Sequence, residues 1–275
     1  MISAIHKLED GTIELTVTIP ADLVAKTREE IVESQVKEAQ VAGFRKGKAP
    51  RDLVEKSINQ DKLREDILKK LLPKAYVEAV QTHKINPVLN PKIQVQKLED
   101  GKDWGFVALT AEAPNVVLKE YKKAVKSTTA ASKIAVPGKE SQPVSFDVIA
   151  KQLLDNSEVL IPRIIVDQEV DRLLSQTLDE VKKLGMTLDQ YLSSTGRTSE
   201  SLRREYAQKA ETDIKIEFIL MKIAESENIK VEEKEIDEAI AQAKDESERQ
   251  NLSNNRYLLA NIIRQQKTLD FLRSL

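Results

Sequence analysis

The stretch "AGFRKGKAP", Ala42 to Pro50, lies between two segments with helical patterning. From Ala39 to Arg51 there are four basic residues, Arg45, Lys46, Lys48 and Arg51, and no acidic one. Phe44 stands among them, flanked by Gly43 and followed by Gly47. If the preceding helix ends at Ala42, Gly43 supplies a left-handed turn, and Phe44 to Lys48 form a tip before Pro50 restarts a helix. Cations on such a tip meet phosphate, and a phenyl ring fits an apolar crevice, so these residue types favour a mixed RNA and protein surface. The residues alone leave a second reading open. In that reading Phe44 packs on Leu53 or Val54 and the lysines serve solubility.

Other chemistry is scarce. The chain has no cysteine, which excludes disulfides, thiolate metal sites and a cysteine nucleophile. With only two histidines, His6 and His83, it offers no histidine-based zinc cage. No GxSxG, P-loop or GxGxxG pattern occurs. Acidic runs such as "EEKEIDE" fall at helical spacing and read as solvated faces. With 43 basic against 45 acidic residues the net charge is −2, so no global field draws the chain to nucleic acid or an anionic membrane. Any attraction to RNA has to be local. Aromatic residues make up only 4%, which argues against a stacking platform for single strands.

The elements that would position the tip follow from periodicity. "TIELTVTI" alternates, with Ile13, Leu15, Val17 and Ile19 on one face, and "EDG" turns it back on a short strand near Ile2 to Leu8. A helix of about five turns follows Pro20, with Leu23, Thr27, Ile31, Val36 and Ala39 at helical spacing. "PRDLVEKSI" begins a short helix at Pro50. "DKLREDILKKLLPKAYVEAVQTHKI" then reads as helix with Leu63, Ile67, Leu71, Tyr76, Val77 and Val80 inward, kinked or divided at Pro73. "KIQVQKL" and "WGFVALTAEA" read as a hairpin. Residues 1–113 are thus expected to form an α+β domain, an antiparallel sheet with helices. Residues 114–145 read as a linker or extended arm, and residues 146–275 as an elongated all-α domain. Tyr191, Leu192, Leu258 and Leu259 have the character of exposed apolar residues, though ordinary core is the simpler reading of each.

"GFRKGKAP" resembles the ribosome-binding signature of the trigger factor family of bacterial ribosome-associated chaperones: Gly-Phe-Arg, four variable residues, then Pro. Gly43, Phe44, Arg45 and Pro50 match in register. "APNVVLKEY" resembles the rest of that family's N-terminal domain, and "IPRIIVDQEVDRLL" and "LLANIIRQQKTLDFL" resemble its helical C-terminal domain. The likeness covers most of the chain outside about Lys126 to Ser145. It implies docking at the polypeptide exit tunnel of the large ribosomal subunit, on ribosomal protein and rRNA, through Phe44, Arg45 and Lys46. Gly43, Gly47, Lys48 and Pro50 complete the binding segment.

The resemblance also implies a helical cradle over nascent or unfolded polypeptides, ATP independence, no cofactor and no metal, a cytoplasmic location without membrane attachment, and dimers off the ribosome. The family normally carries a peptidyl-prolyl isomerase domain between its two ends. Here that interval is too short for a domain of about 50 residues, so the chain is expected not to be an enzyme. Its ending at "FLRSL" also lacks a tail that many members carry. The competing reading is an RNA-binding or ribosome-assembly module that uses the basic loop without handling clients.

Overall fold

The computed structural model describes residues 1–40, 44–132 and 145–275. Contacts divide the chain into two compact units: Met1–Ala113 with Pro162–Ile165, and Pro114–Ile161 with Val166–Leu275.

In the first unit, β1 (Ile2–Lys7), β2 (Ile13–Ile19), β3 (Lys92–Lys97) and β4 (Trp104–Thr110) form one antiparallel sheet in the order β1-β2-β4-β3. The period-two pattern of β2 places Ile13, Leu15, Val17 and Ile19 on one face, all buried. Across the ladder Leu15 faces Ala108, Val17 faces Phe106 and Ile19 faces Trp104, so one continuous apolar face results. Trp104 satisfies its buried indole by donating to the Glu99 carbonyl at 3.1 Å.

Three helices lie between the two halves of the sheet in sequence: α1 (Ala21–Glu38), α2 (Arg51–Ser57) and α3 (Gln60–His83). Asn59 caps α3 by accepting from the Asp61 and Lys62 amides. The buried row of α3 is Leu63, Ile67, Leu71, Ala75 and Ala79. Four-residue steps hold this row on one side, and the two alanines leave room for close approach to the sheet.

Three expectations for this unit change. Pro73 does not divide α3, so of the two outcomes expected for it division is excluded. It lies on the water-facing side of the helix, where solvent is at hand for the carbonyl four residues earlier that its ring leaves without an amide donor. Val77, expected inward, is exposed, because the row of four-residue steps turns it out. α1 stops at Glu38, with Ala39 extended at φ −62° and ψ 135°, so its exit is not a left-handed glycine turn. His83, at the end of α3, pairs with Ser3 Oγ at 3.1 Å, whereas His6 is exposed on β1; the two histidines do not meet.

The second unit contains β5 (Val116–Leu118), α4 (Tyr121–Ser132), α5 (Phe146–Asp155), β6 (Ser157–Val159) and α6 (Arg163–Lys183), whose first turn belongs to the other unit. It continues with α7 (Leu188–Thr195), α8 (Ser199–Ser226), α9 (Glu233–Ala241), α10 (Glu246–Asn254) and α11 (Arg256–Ser274). The unit is mostly helical, with a small antiparallel β5–β6 ribbon that the sequence reading did not anticipate.

The segment read as a linker is different in its first part. β5 and α4 reach to residue 132, and Val116, Tyr121 and Val125 are buried with Ile149, Leu153, Ile219, Ile223 and Leu272. Small and polar composition hid a helix whose two large apolar residues, Tyr121 and Val125, are both buried. Residues 133–144 lie outside the described residues. α4 is further tied in by polar contacts: the Tyr121 hydroxyl donates to Glu227 Oε1 at 3.0 Å, Lys122 pairs with the same carboxylate at 2.7 Å, and its ammonium lies 5.9 Å from the Phe271 ring. Burial, followed by the Glu227 contact, pushes the Tyr121 phenol up to about 12.

A linker residue could be truncated freely, but Val125 cannot. Val125→Ala is expected to lower unfolding stability by about 2 kcal/mol, whereas Lys126→Ala, on the exposed side, should change it little. Urea denaturation of the two variants measures both.

Candidate functional site

The basic loop joins α1 to α2. Gly43, together with Val41 and Ala42, lies outside the described residues; Phe44, Arg45, Lys46, Lys48 and Pro50 are exposed. Their backbone is internally tied: Gly47 N donates to the Ala39 carbonyl at 3.0 Å, and Lys48 N donates to the Arg45 carbonyl at 2.9 Å. Gly47 takes φ +73°, and a Cβ there would stand 2.6 Å from the Lys37 carbonyl oxygen. Both conformation and space therefore require glycine at this position. Ala49 is buried and seats the loop's return. Pro50 is the cap preceding α2 and Arg51 its first residue, one position later than the sequence reading placed the start.

The tip side chains stand apart from this frame. Phe44 is 43% exposed, Leu53 is 48% exposed, and neither belongs to the first unit's core; Val54 is the residue that α2 buries. Phe44 and Leu53 therefore both stay outside that core cluster. An exposed phenyl beside two lysines and an arginine is a surface of its own.

The cations divide into two groups. Arg45, Lys46 and Lys48 are exposed and form no ion pair among the described residues. Arg51, by contrast, donates Nη2 to Glu29 Oε2 on α1 and holds Nε 3.6 Å from Glu55 Oε2 on α2. Glu55 Oε1 accepts from Arg28 Nη2 at 2.6 Å. The Arg28 contact and the Arg51 charge hold the Glu55 carboxyl below its ordinary range, while the Glu29 contact raises Arg51 above its own. This four-residue chain was not read from the sequence. Only the Arg51–Glu55 pair, at i and i+4, leaves a signal there; Glu29 and Arg28 are brought in by the packing of α1 beside α2.

Elsewhere, among the described residues, no three His, Asp or Glu side chains gather as a metal site, and no helix is long and apolar enough to cross a membrane. A mainly apolar cavity of about 220 Å³ lies between α6, α7 and α8, lined by Leu174, Leu178, Leu188, Leu192 and Leu202. On α11, Leu258 and Ile262 lie one turn apart and are 59% and 54% exposed, beside Tyr257 at 80%. Leu259 is instead buried with Ile236 and Ile240, and Leu192 is likewise buried, so those two of the four apolar residues singled out above are core.

Known proteins place this arrangement. The family model described as "Bacterial trigger factor protein (TF)" matches residues 1–138, and that of the "Bacterial trigger factor protein (TF) C-terminus" matches residues 142–274. Only residues 139–141 lie between the two matches. Trigger factor of Staphylococcus epidermidis is 40% identical over 122 residues, 44% of this chain and 28% of the relative. Trigger factor of Anoxybacillus flavithermus is 43% identical over 117 residues, 42% of this chain and 27% of the relative. The matched part thus spans under a third of the length of these curated relatives. A solved structure described as "Promiscuous Substrate Recognition in Folding and Assembly Activities of the Trigger Factor Chaperone" shares the fold, with a TM-score of 0.63 over 98% of this chain and 99% of that one at 14% identity. With family models covering both units, the chain belongs to the bacterial trigger factor family.

Proposed function

We propose that this chain is an ATP-independent chaperone that docks beside the polypeptide exit site of the large ribosomal subunit through the α1–α2 loop and shields emerging chains with its helical unit. The observation that carries the reading is the loop itself. Its backbone is held by Gly47 and Ala49, while Phe44 and three cations with no ion pair among the described residues are exposed, suited to rRNA phosphate and an apolar crevice on ribosomal protein. Gly43 belongs to the same segment by the family resemblance. The solved relative is described as a chaperone with promiscuous substrate recognition, and the exposed Tyr257, Leu258 and Ile262 support the same role here. Scattered apolar side chains of this kind give weak contacts from which a client can be released to fold. Adjacent family-model matches leave no interval for an isomerase domain, so the proposal includes no prolyl isomerase activity.

Co-sedimentation with large ribosomal subunits at low and high salt tests the docking step. Phe44→Ala/Arg45→Ala/Lys46→Ala is expected to stay folded and to bind at least about 100-fold more weakly than the parent chain, since two phosphate contacts and an aromatic anchor are removed together. Equal pelleting of both proteins would reduce the loop to a helix connection.

Gly47→Ala keeps every outward-facing group but must displace the loop from the Lys37 carbonyl. An affinity loss of about tenfold is expected with little change in melting temperature, measured by the same sedimentation and by thermal unfolding.

Tyr257→Ser/Leu258→Ser/Ile262→Ser should leave ribosome binding intact and weaken suppression of aggregation of a denatured test protein by about half or more. Unaltered suppression would remove this face from client handling. No suppression even by the parent chain would favour an RNA-binding or assembly module.

A further inference from the structure

Arg51 completes the run of basic residues after Ala39, yet its guanidinium is already engaged. It bridges Glu29 on α1 and Glu55 on α2, and Glu55 in turn holds Arg28. The four groups alternate in sign and sum to zero, so this chain projects little net field. Arg45, Lys46 and Lys48 lack such partners among the described residues, and their charge is uncompensated. Withdrawing Arg51 toward a phosphate would leave Glu29 without its partner and Glu55 with one fewer, two carboxylates close to the incoming anion. The exchange would set a new attraction against new repulsion at the same place.

Position gives the pairing a purpose. Arg51 directly follows Pro50, at the point where the loop re-enters helix, and Glu29 lies within α1. Their ion pair pins the returning end of the loop to α1. At the other side, Gly47 sits against the Lys37 carbonyl and bonds Ala39. The loop is thus held at Gly47 and again at Arg51, with Lys48 between the two attachments and Arg45 and Lys46 directly before the first, so these cations need little ordering when they meet a surface.

We infer that Arg51 is a positioning residue of the docking loop rather than a phosphate contact, and that the loop's electrostatic footprint is the three cations Arg45, Lys46 and Lys48. This rests on the docking reading above, and salt dependence separates the two. Each phosphate neutralised contributes about 0.7 to 0.9 to the slope of log affinity against log salt, so three cations give a slope of about −2 to −3.

The experiment is equilibrium binding of the full chain to isolated large ribosomal subunits across a potassium chloride series, for the parent chain and for Lys48→Ala, Arg51→Ala and Glu29→Gln. Lys48→Ala is expected to reduce the magnitude of the slope by about one. Arg51→Ala should leave the slope unchanged while weakening binding about two- to fivefold through the loosened loop. Glu29→Gln retains the Arg51 charge but removes the nearer of its two carboxylate partners, leaving Glu55. A positioning role predicts that it weakens binding by a similar factor at unchanged slope.

The inference is overturned if Arg51→Ala flattens the slope by about one, or if Glu29→Gln binds more tightly with a steeper slope, because Arg51 would then spend its charge on the ribosome. Thermal melting checks that each variant is folded; should Arg51→Ala fail to fold, the sign of the Glu29→Gln effect decides. If the parent chain does not bind, the docking reading falls and this inference with it, whereas the slope outcomes bear on Arg51 alone.

Discussion

A loop with almost no apolar surface of its own cannot hold a shape unless something else fixes its ends. Ordering each residue costs about 1–2 kcal/mol of backbone entropy, and neither Phe44 nor the three outward cations repay it by burial. What holds the α1–α2 loop is the apolar layer between the sheet and its helices. Leu15, Val17, Phe106 and Ala108 present a closed face, and Val24 and Val32 of α1 are buried in the same core as the α3 row from Leu63 to Ala79. That layer fixes where α1 ends, and the loop's attachments start there. The Lys37 carbonyl, the Ala39 carbonyl and the Glu29 carboxylate are all features of α1 and its exit. Weakening the sheet core would therefore blur the tip before it touched any tip residue.

The polar contacts around the loop act on a smaller scale than the core. Exposed ion pairs add little stability each, because water and salt screen them, and the Glu29–Arg51–Glu55–Arg28 chain is partly exposed throughout. Its effect lies in direction rather than in total energy: it couples the first turn of α2 to α1 across the gap that the loop spans. The pairing also sorts charges. Arg28 and Arg51, which brace the frame, are matched by carboxylates, while Arg45, Lys46 and Lys48 have none among the described residues, and the same residue types thereby do two different things within the seven positions from Arg45 to Arg51.

How much of this could be read beforehand depended on whether the signal was local. The strand alternation of Ile13 to Ile19 and the four-residue spacing in α3 are local, and the α+β class followed from them. Gly43, Phe44, Arg45, Lys46, Gly47, Lys48 and Pro50 were legible as a segment because charge and glycine are concentrated there. Their geometry was not. That Gly47 is required rests on the Lys37 carbonyl ten residues earlier, and the engagement of Arg51 rests on Glu29, 22 residues away. Pro73 suggested a division that α3 does not make, and the proline sits on the exposed side of the helix, where a lost backbone bond costs least. α4 was missed for a related reason. "YKKAVKSTT" is polar in composition, yet Tyr121 and Val125, four apart, supply a sufficient stripe once Ile149 and Leu153 stand opposite.

The helical unit carries the opposite solution to the same physical problem. In the loop, polar groups are displayed from a frame held by apolar packing; on α11, apolar groups are displayed from a frame held partly by charge. Arg256 pairs with Glu233 and Asp237, and Lys267 with Glu235 and the Lys230 carbonyl, bracketing α11 against α9 while Leu259 packs on Ile236 and Ile240. With those cations committed to one side, Leu258 and Ile262 remain outside the cluster. A larger apolar display would invite self-association. Leaving a few side chains uncovered, on a helix whose other side is braced, keeps an apolar surface in water without requiring the helix to bury it.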